Sequence, residues 1–419
     1  MKVIHLSSSD FNGGAAIAAK RIVTAQRLLP ELDSKLLVQI KRNKDNFIFS
    51  SNTSTTKKIL SNIRKVADEL SIRLMSVQSR GRFTFPFWGE DVSKDVGLKE
   101  ADIINLHWIN GGFLSLKSLE KLAALNKPVV WTLHDMWAFT GGCHYSSDCF
   151  KFQTQCSDCP SLVFKSENDL SSKIFNQKKK IFSELKLTIV TCSKWLAKEA
   201  SQSALLNDRK IEVIPNPIDL TAYSPINKIE SRQKINLPID KKLILIGAMN
   251  LKDYRKGFNY LVRALNLLSD SNKKISDQFE MVVFGKLDKN VVSQIPLKVN
   301  QLGKLKNAEE IVMAYNAADI YVAPSLQDNL PNTVMEAMAC GVPVAAFNVG
   351  GIPDLIDDGV NGILVELKSS EELAKAIEKI LLDENLSKKF SIAARQKILN
   401  NFDQKIVAAK YYELYKSIL

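Results

Sequence analysis

The sequence predicts an α/β protein of two doubly wound parallel sheets, one in each of two domains that face each other across a cleft. Three observations predict it. Short runs rich in Val, Ile and Leu recur with helical patterns between them, as parallel strands covered on both faces require. The series begins again in the second half, and 419 residues suffice for two or three domains of about 100–200 residues. Between the halves stands IPNPIDLTAYSPI, whose three prolines forbid a continuous helix or central strand and place a hinge near Pro217.

In the first half the strand runs are KVIHLSSS, KLLVQIK, DIINLHW, PVVWTLHD, LTIVTCS and IEVIPNP. In the second they are KLILIGAM, FEMVVFG, DIYVAPS, PVAAFNV and NGILVEL. From about Ser370 the spacing turns helical to the end, with FDQKIVAAKYYELYKSIL as the last of three helices. The expected parts are residues 1–217, residues 218–399, and a terminal helix, 400–419, packing back towards the first domain. In open sheets of this kind ligands sit beyond the carboxyl ends of the strands.

With 45% hydrophobic and 24% charged residues the composition is that of a globular protein, and no apolar run reaches the ~20 residues of a spanning helix. MKVIHLSSSDFNGG has no signal-peptide pattern, so a cytoplasmic location is expected. There, the six cysteines read as thiols or metal ligands before disulfides. Residues 1–218 hold 31 Lys and Arg against 21 Asp and Glu, which is +10 of the total +12. That asymmetry suggests that the first half meets something anionic.

Four stretches could carry chemistry. In SSSDFNGGAAIAAKRI a strand meets Gly13, Gly14 and then a helix, whose opening N–H groups can bind an anion. In WTLHD, His134 and Asp135 end a buried strand, where a polar group is costly unless used; His107 ends the strand before it in a similar way. Arg255 and Lys256 open a helix, where cations are disfavoured unless an anion receives them. In PSLQDNLPNTVMEAMACGVPV, Asp328 stands in a loop, a helix opens near Asn332, and Glu336 follows eight positions after Asp328. Two such carboxylates can accept hydrogen bonds from separate sugar hydroxyls beside a phosphate held by the helix start.

These segments, in this order, resemble the retaining glycosyltransferases of family 4, with the GT-B architecture of two Rossmann-like domains. The resemblance runs from the Gly13-Gly14 turn through WTLHD, IPNPID, YRKG and PSLQDNLPNTVMEAMACGVPV to Gly350-Gly351. It implies a nucleotide-diphosphate sugar in the C-terminal domain and an acceptor in the N-terminal one. Carried over, Glu336 holds the nucleotide ribose, and Asp328, where the family has glutamate, meets donor-sugar hydroxyls. Asn332 and Thr333 present backbone groups, Lys256 neutralises the β-phosphate with Arg255 assisting, Gly14 supplies amides, and His134 stands near the reacting centre. Ala248 follows Gly247 where the family commonly has arginine, and Arg255 is the expected substitute. Same-face attack lets the leaving phosphate take the acceptor's proton, with no cofactor required.

Residues 57–88 pair a basic amphipathic helix pattern with Phe83, Phe85, Phe87 and Trp88, and from Lys57 to Arg82 seven basic residues face two acidic ones. Such a segment can lie on an anionic bilayer, or it can pack on a core with a solvated basic face. The expected enzyme is thus peripheral on the inner face of a bacterial plasma membrane, acting on a lipid-linked, capsular or lipopolysaccharide-type acceptor. A nucleotide-sugar epimerase of the same fold and a basic, cysteine-rich nucleic-acid-binding protein are the alternatives. For Cys143, Cys149, Cys156 and Cys159, with His144 beside them, a structural zinc, free thiols and disulfides all stay open.

Overall fold

The structure is a computed structural model that describes residues 1–77, 81–250, 253–271, 275–286, 292–305 and 307–419. The chain divides into two compact units, Met1–Pro217 with Val407–Leu419, and Ile218–Ile406. The second unit therefore ends seven residues beyond the expected 399, and the last helix begins at Gln404.

The first unit holds β1 (Lys2–Ser9), β2 (Asp33–Ile40), β3 (Ile48–Ser50), β4 (Ile103–Leu106), β5 (Pro128–Leu133), β6 (Lys186–Thr191) and β7 (Ile211–Val213). They form one parallel sheet in the order β3-β2-β1-β4-β5-β6-β7. β4 is buried throughout and β5 beyond its first residue, which is why both read as unbroken apolar runs. Around them lie α1 (Gly14–Gln26), α2 (Thr55–Met75), α3 (Val96–Glu100), α4 (Leu116–Ala123), α5 (Leu170–Glu184) and α6 (Lys194–Gln202). Side chains set the helix starts: Ser115 and Ser118 form a capping box on α4, and Asp169 accepts from the first two amides after Leu170 on α5.

The second unit holds β8 (Lys242–Asn250), β9 (Phe279–Lys286), β10 (Val299–Gly303), β11 (Ile320–Ala323), β12 (Val344–Phe347) and β13 (Gly362–Val365). Their order is β10-β9-β8-β11-β12-β13, again parallel. Its helices are α7 (Lys228–Lys234), α8 (Phe258–Ser271), α9 (Ile275–Gln278), α10 (Ala308–Ala317), α11 (Asn332–Ala339), α12 (Ile352–Leu355), α13 (Ser370–Leu382) and α14 (Glu384–Asn401). The last helix, α15 (Gln404–Ile418), belongs mostly to the first unit, where Val407, Tyr411, Leu414 and Tyr415 are buried with Val3, Ile103, Val130 and Val190. In each sheet the strand order reverses beside the unit's first strand, between β1 and β4 and between β8 and β11. These are the switch points at which open sheets receive ligands.

α2 is turned against its pattern. Ile59, Ile63, Val66, Leu70 and Leu74, which fall on one helical stripe, are each about half exposed or more, whereas the opposite face buries Ser61, Asp68 and Ile72. Polar bonds hold it this way: Arg64 Nη2 pairs with Glu90 at 3.2 Å and Arg64 Nε donates to Gly112 O at 3.1 Å. The aromatic expectation needs correction. Phe83 and Phe85 are core residues, at 0% and 1% exposure, while Phe87 and Trp88 stay exposed at 46% and 44%. Residues 78–80 of this segment lie outside the described residues.

Two glycines close the loops that carry the second unit's site. Gly257 has φ +60° and a Cβ there would stand 1.8 Å from Pro324 O; Gly350 has φ +58° and a Cβ would stand 2.0 Å from Asp328 O. Gly359 has φ +69° with open space around it. Gly257→Ala and Gly350→Ala should each destabilise the protein by about 2 kcal/mol or more in urea unfolding, against about 1 kcal/mol for Gly359→Ala. Equal costs at the three positions would contradict the close backbone approach.

Candidate functional site

Each unit gathers its polar side chains beyond its own switch point. In the second, β8 leads into a short turn, Tyr254–Lys256, and β11 leads into the loop of Asp328. Lys256 Nζ meets Asp328 Oδ2 at 2.6 Å, and Leu326 N donates to Arg255 O at 2.7 Å, so the two loops are tied by side chain and backbone alike. Gly351 N donates to Asp328 O at 3.1 Å and brings in the loop after β12. Three loops thus converge on Asp328.

Arg255 is placed with Lys256, but its Nη2 is engaged by Asp253 at 2.6 Å. Asp253 also accepts from Arg255 N, an early residue of its own turn. Each expected phosphate cation therefore already has a carboxylate partner. Ala248 is in β8, and its side chain lies outside the described residues.

α11 opens at Asn332 after Pro331, which offers no side-chain cap. Thr333 turns its hydroxyl inward to Tyr321, whose own OH donates to Gly247 O at 3.1 Å; the backbone amides are what this turn has to present. Glu336 is 7% exposed, and its Oε2 accepts from Tyr315 OH at 2.9 Å. That bond fixes the carboxylate while an ionised carboxylate keeps further acceptor positions. Tyr315 and Asp253 are neighbours of these candidates that the motif reading did not single out.

In the first unit α1 starts at Gly14 with Gly13 as its N-cap, and no side chain caps it. His134 follows β5 and is part of a row. His5 Nδ1 lies 2.9 Å from His107 Nε2, and His107 Nδ1 lies 3.0 Å from His134 Nε2, with successive rings stacked at 5.2 and 5.3 Å. The register explains the row: His5 pairs with Asn105, two places before His107, and Asn105 pairs with Val130, so each histidine steps further along the strands on one face. Burial lowers the pKa of His5 and His134 to about 4 and that of His107 well below its usual value, so the rings are neutral near pH 7. His5 was missed by the sequence reading, although the cost of a polar group inside a buried strand applied to it as it did to His134.

Asp135 does other work. It accepts from Trp108 Nε1 at 3.1 Å, Trp137 N at 2.9 Å and His144 Nδ1 at 2.7 Å. Burial opposes its charge, yet His144 and these donors hold its pKa below the usual carboxylate value. His144 Nε2 in turn meets Thr84 Oγ1 at 2.6 Å. Asp135 and His144 are thus spent on fixing the loop.

The cysteine loop packs beside them. Buried Lys178 donates to Trp137 O and to Thr140 O at 3.0 Å, Gly141 N donates to Cys156 Sγ at 3.1 Å, and Cys159 N donates to Asp169 Oδ2 at 2.8 Å. Cys143, Cys149, Cys156 and Cys159 are all free thiols, and burial pushes Cys156 up to about 12. Among the described residues no group of three or more His, Cys, Asp and Glu is arranged to hold a metal ion. Lysine and backbone bonds close this loop.

Comparison with known proteins follows the same division. Residues 60–222 match the family model described as Glycosyltransferase Family 4, and residues 240–383 match Glycosyl transferases group 1. An uncharacterized glycosyltransferase of Methanocaldococcus jannaschii is 29% identical over 54% of this chain and 59% of its own. The N,N'-diacetylbacillosaminyl-diphospho-undecaprenol alpha-1,3-N-acetylgalactosaminyltransferase of Campylobacter jejuni is 29% identical over 51% of this chain and 56% of its own. The chain spans about half the length of the curated relatives it matches. In fold, it is similar to Anabaena Alr3699/HepE, solved in complex with UDP-glucose, with a TM-score of 0.65 and 17% identity over 100% of both chains. Two family models in tandem on two parallel-sheet units place this chain in the family 4, group 1 glycosyltransferases with the GT-B fold.

Proposed function

We propose that the protein is a retaining glycosyltransferase that moves a sugar from a nucleotide-diphosphate sugar to a hydroxyl of a lipid-linked or surface-glycan acceptor at an anionic membrane face. One observation carries the donor half: Lys256, Asp328, Glu336 and the opening of α11 stand together at the switch point of the second sheet. Breaking the anomeric bond leaves negative charge on the diphosphate. Lys256, Arg255 and the α11 amides meet that charge, and the preorganised amides cost no reorganisation. Asp328 accepts from donor-sugar hydroxyls and Glu336 from the ribose; His134 and Gly14 are the candidates that the first unit contributes to transfer. The departing phosphate takes the acceptor's proton, so retention needs no separate base. The UDP-glucose bound by the Anabaena neighbour and the lipid-linked acceptor in the Campylobacter relative's name support this reading.

The membrane part rests on the outward stripe of α2. Five apolar residues on one exposed helical face have no use in water, and Trp88 Nε1, 3.4 Å from Ser71 Oγ, sets an exposed indole beside them. The surrounding charge is basic, and each Lys or Arg near an anionic surface adds about 1 kcal/mol. Among the described residues no helix is long and apolar enough to cross a membrane, so α2 lies in the interface plane in this reading.

Lys256→Ala and Glu336→Ala should each lower transfer by about a hundredfold or more with unchanged circular dichroism. UDP, GDP and ADP, screened by thermal shift, should include one that raises the melting temperature of the wild type and not of Lys256→Ala. Wild-type activity in both variants would refute the donor site. In flotation, the protein should rise with phosphatidylglycerol vesicles at low salt, and Ile63→Glu with Leu70→Glu should abolish this. Absence of wild-type binding would remove the membrane part alone.

A further inference from the structure

The histidine row has an end that the transfer chemistry does not use. His5 Nε2 lies 2.8 Å from Gln26 Oε1, and Ser34 Oγ donates to the same oxygen at 2.7 Å. The Gln26 amide nitrogen donates to Tyr415 OH at 3.0 Å, a phenol on α15 that Asn105 Nδ2 also reaches, at 2.8 Å. Gln26, Tyr415, His5 and Ser34 are all at 0% exposure, so water supplies none of these bonds.

Between two imidazoles at hydrogen-bond distance one ring donates and the other accepts, and a neutral imidazole carries one of each. Three such rings in a row have only two arrangements, every proton turned one way or every proton turned the other. The carbonyl of Gln26 only accepts. His5 must then carry its proton on Nε2, leaving Nδ1 bare; His107 Nε2–H fills Nδ1 of His5, and His134 Nε2–H fills Nδ1 of His107. We propose that Gln26, anchored by Tyr415, sets the tautomer of His134 through His5 and His107, so that His134 keeps its proton inward on Nε2 and offers Nδ1 as an acceptor to a substrate hydroxyl. That Nδ1 atom meets the buried Cys192 sulfur at 3.7 Å, a weak contact that a substrate hydroxyl would share or displace. Gln26 is a positioning residue, since it acts only through the chain, and its value for catalysis rests on the glycosyltransferase reading.

The chain has four histidines, and the fourth is an internal reference. His144 donates through Nδ1 to Asp135 and should show the opposite tautomer. Nitrogen-15 correlation spectra of the full-length protein, labelled on histidine, should give three Nε2–H rings and one Nδ1–H ring. Gln26→Met should convert the His134 signal to the other tautomer or to a mixture, and lower kcat about tenfold or more with the donor KM unchanged. Tyr415→Phe, which removes the anchor and keeps the ring, should act in the same direction and serves where Gln26→Met does not fold. Tyr411→Phe removes a hydroxyl of the same helix that meets Thr132 at 3.2 Å and does not touch the row; it should leave tautomer and rate as they are. A His134 ring protonated on Nδ1 in the wild type, or a His134 signal unmoved by both Gln26→Met and Tyr415→Phe, overturns the proposal. A tautomer that moves with an unchanged rate leaves the chain standing and refutes the role of His134 in transfer.

Discussion

The contact between Lys256 and Asp328, at 2.6 Å with both side chains largely covered, is the constraint around which the second unit's site is built. A lysine held beyond the ends of two central strands has lost much of its water and needs an anion. Asp328 supplies one, and its position is set by the glycine turns at Gly257 and Gly350, where backbone presses on backbone. The carboxylate keeps the cation in place at the price of competing with any phosphate that comes for it. The first turn of α11 carries no acidic side chain. In the proposed reading its amides would give a diphosphate a first foothold, of the order of 1 kcal/mol from the helix dipole alone.

The first unit meets a similar problem without charge. Three imidazoles in and just beyond the central strands are costly as cations, and burial keeps them neutral. Their hydrogen bonds are satisfied by one another and by Gln26, so the row is ordered at little electrostatic cost. One unit thus holds a compensated ion pair, suited to a ligand that brings negative charge. The other holds a directional chain of neutral donors and acceptors, suited to hydroxyl groups.

Strands that are buried on both faces were legible in the sequence because a continuous apolar run has few other uses. β3 and β10 were not, since an edge strand pairs on one side only and its residues need not be apolar; β10 reads VNQLG and is at least half-buried at only three of its five positions. The candidate donor residues could be picked out because Asp328, Asn332 and Glu336 lie close together in sequence, in one loop and one short helix. His5 and Tyr315 came from elsewhere in the chain, and only the fold brings them in. α2 shows the limit of periodicity most clearly: the pattern Ile59, Ile63, Val66, Leu70, Leu74 gives the stripe, but which side is covered depends on Arg64, Glu90 and Gly112, far apart in sequence. The cysteine loop could not be read to a single answer for a related reason, as spacing alone cannot tell a metal cluster from thiols packed around a buried lysine.

The most direct measurement is a calorimetric titration of the nucleoside diphosphate, without its sugar, into the wild type and into Asp328→Asn. If Asp328 holds Lys256 in competition with the diphosphate, neutralising it frees the lysine and removes a nearby negative charge, and binding should tighten several-fold, about 1 kcal/mol at the exposure of this pair. Unchanged or weaker binding in Asp328→Asn would contradict the account, because Lys256 would then not be the cation that the diphosphate receives.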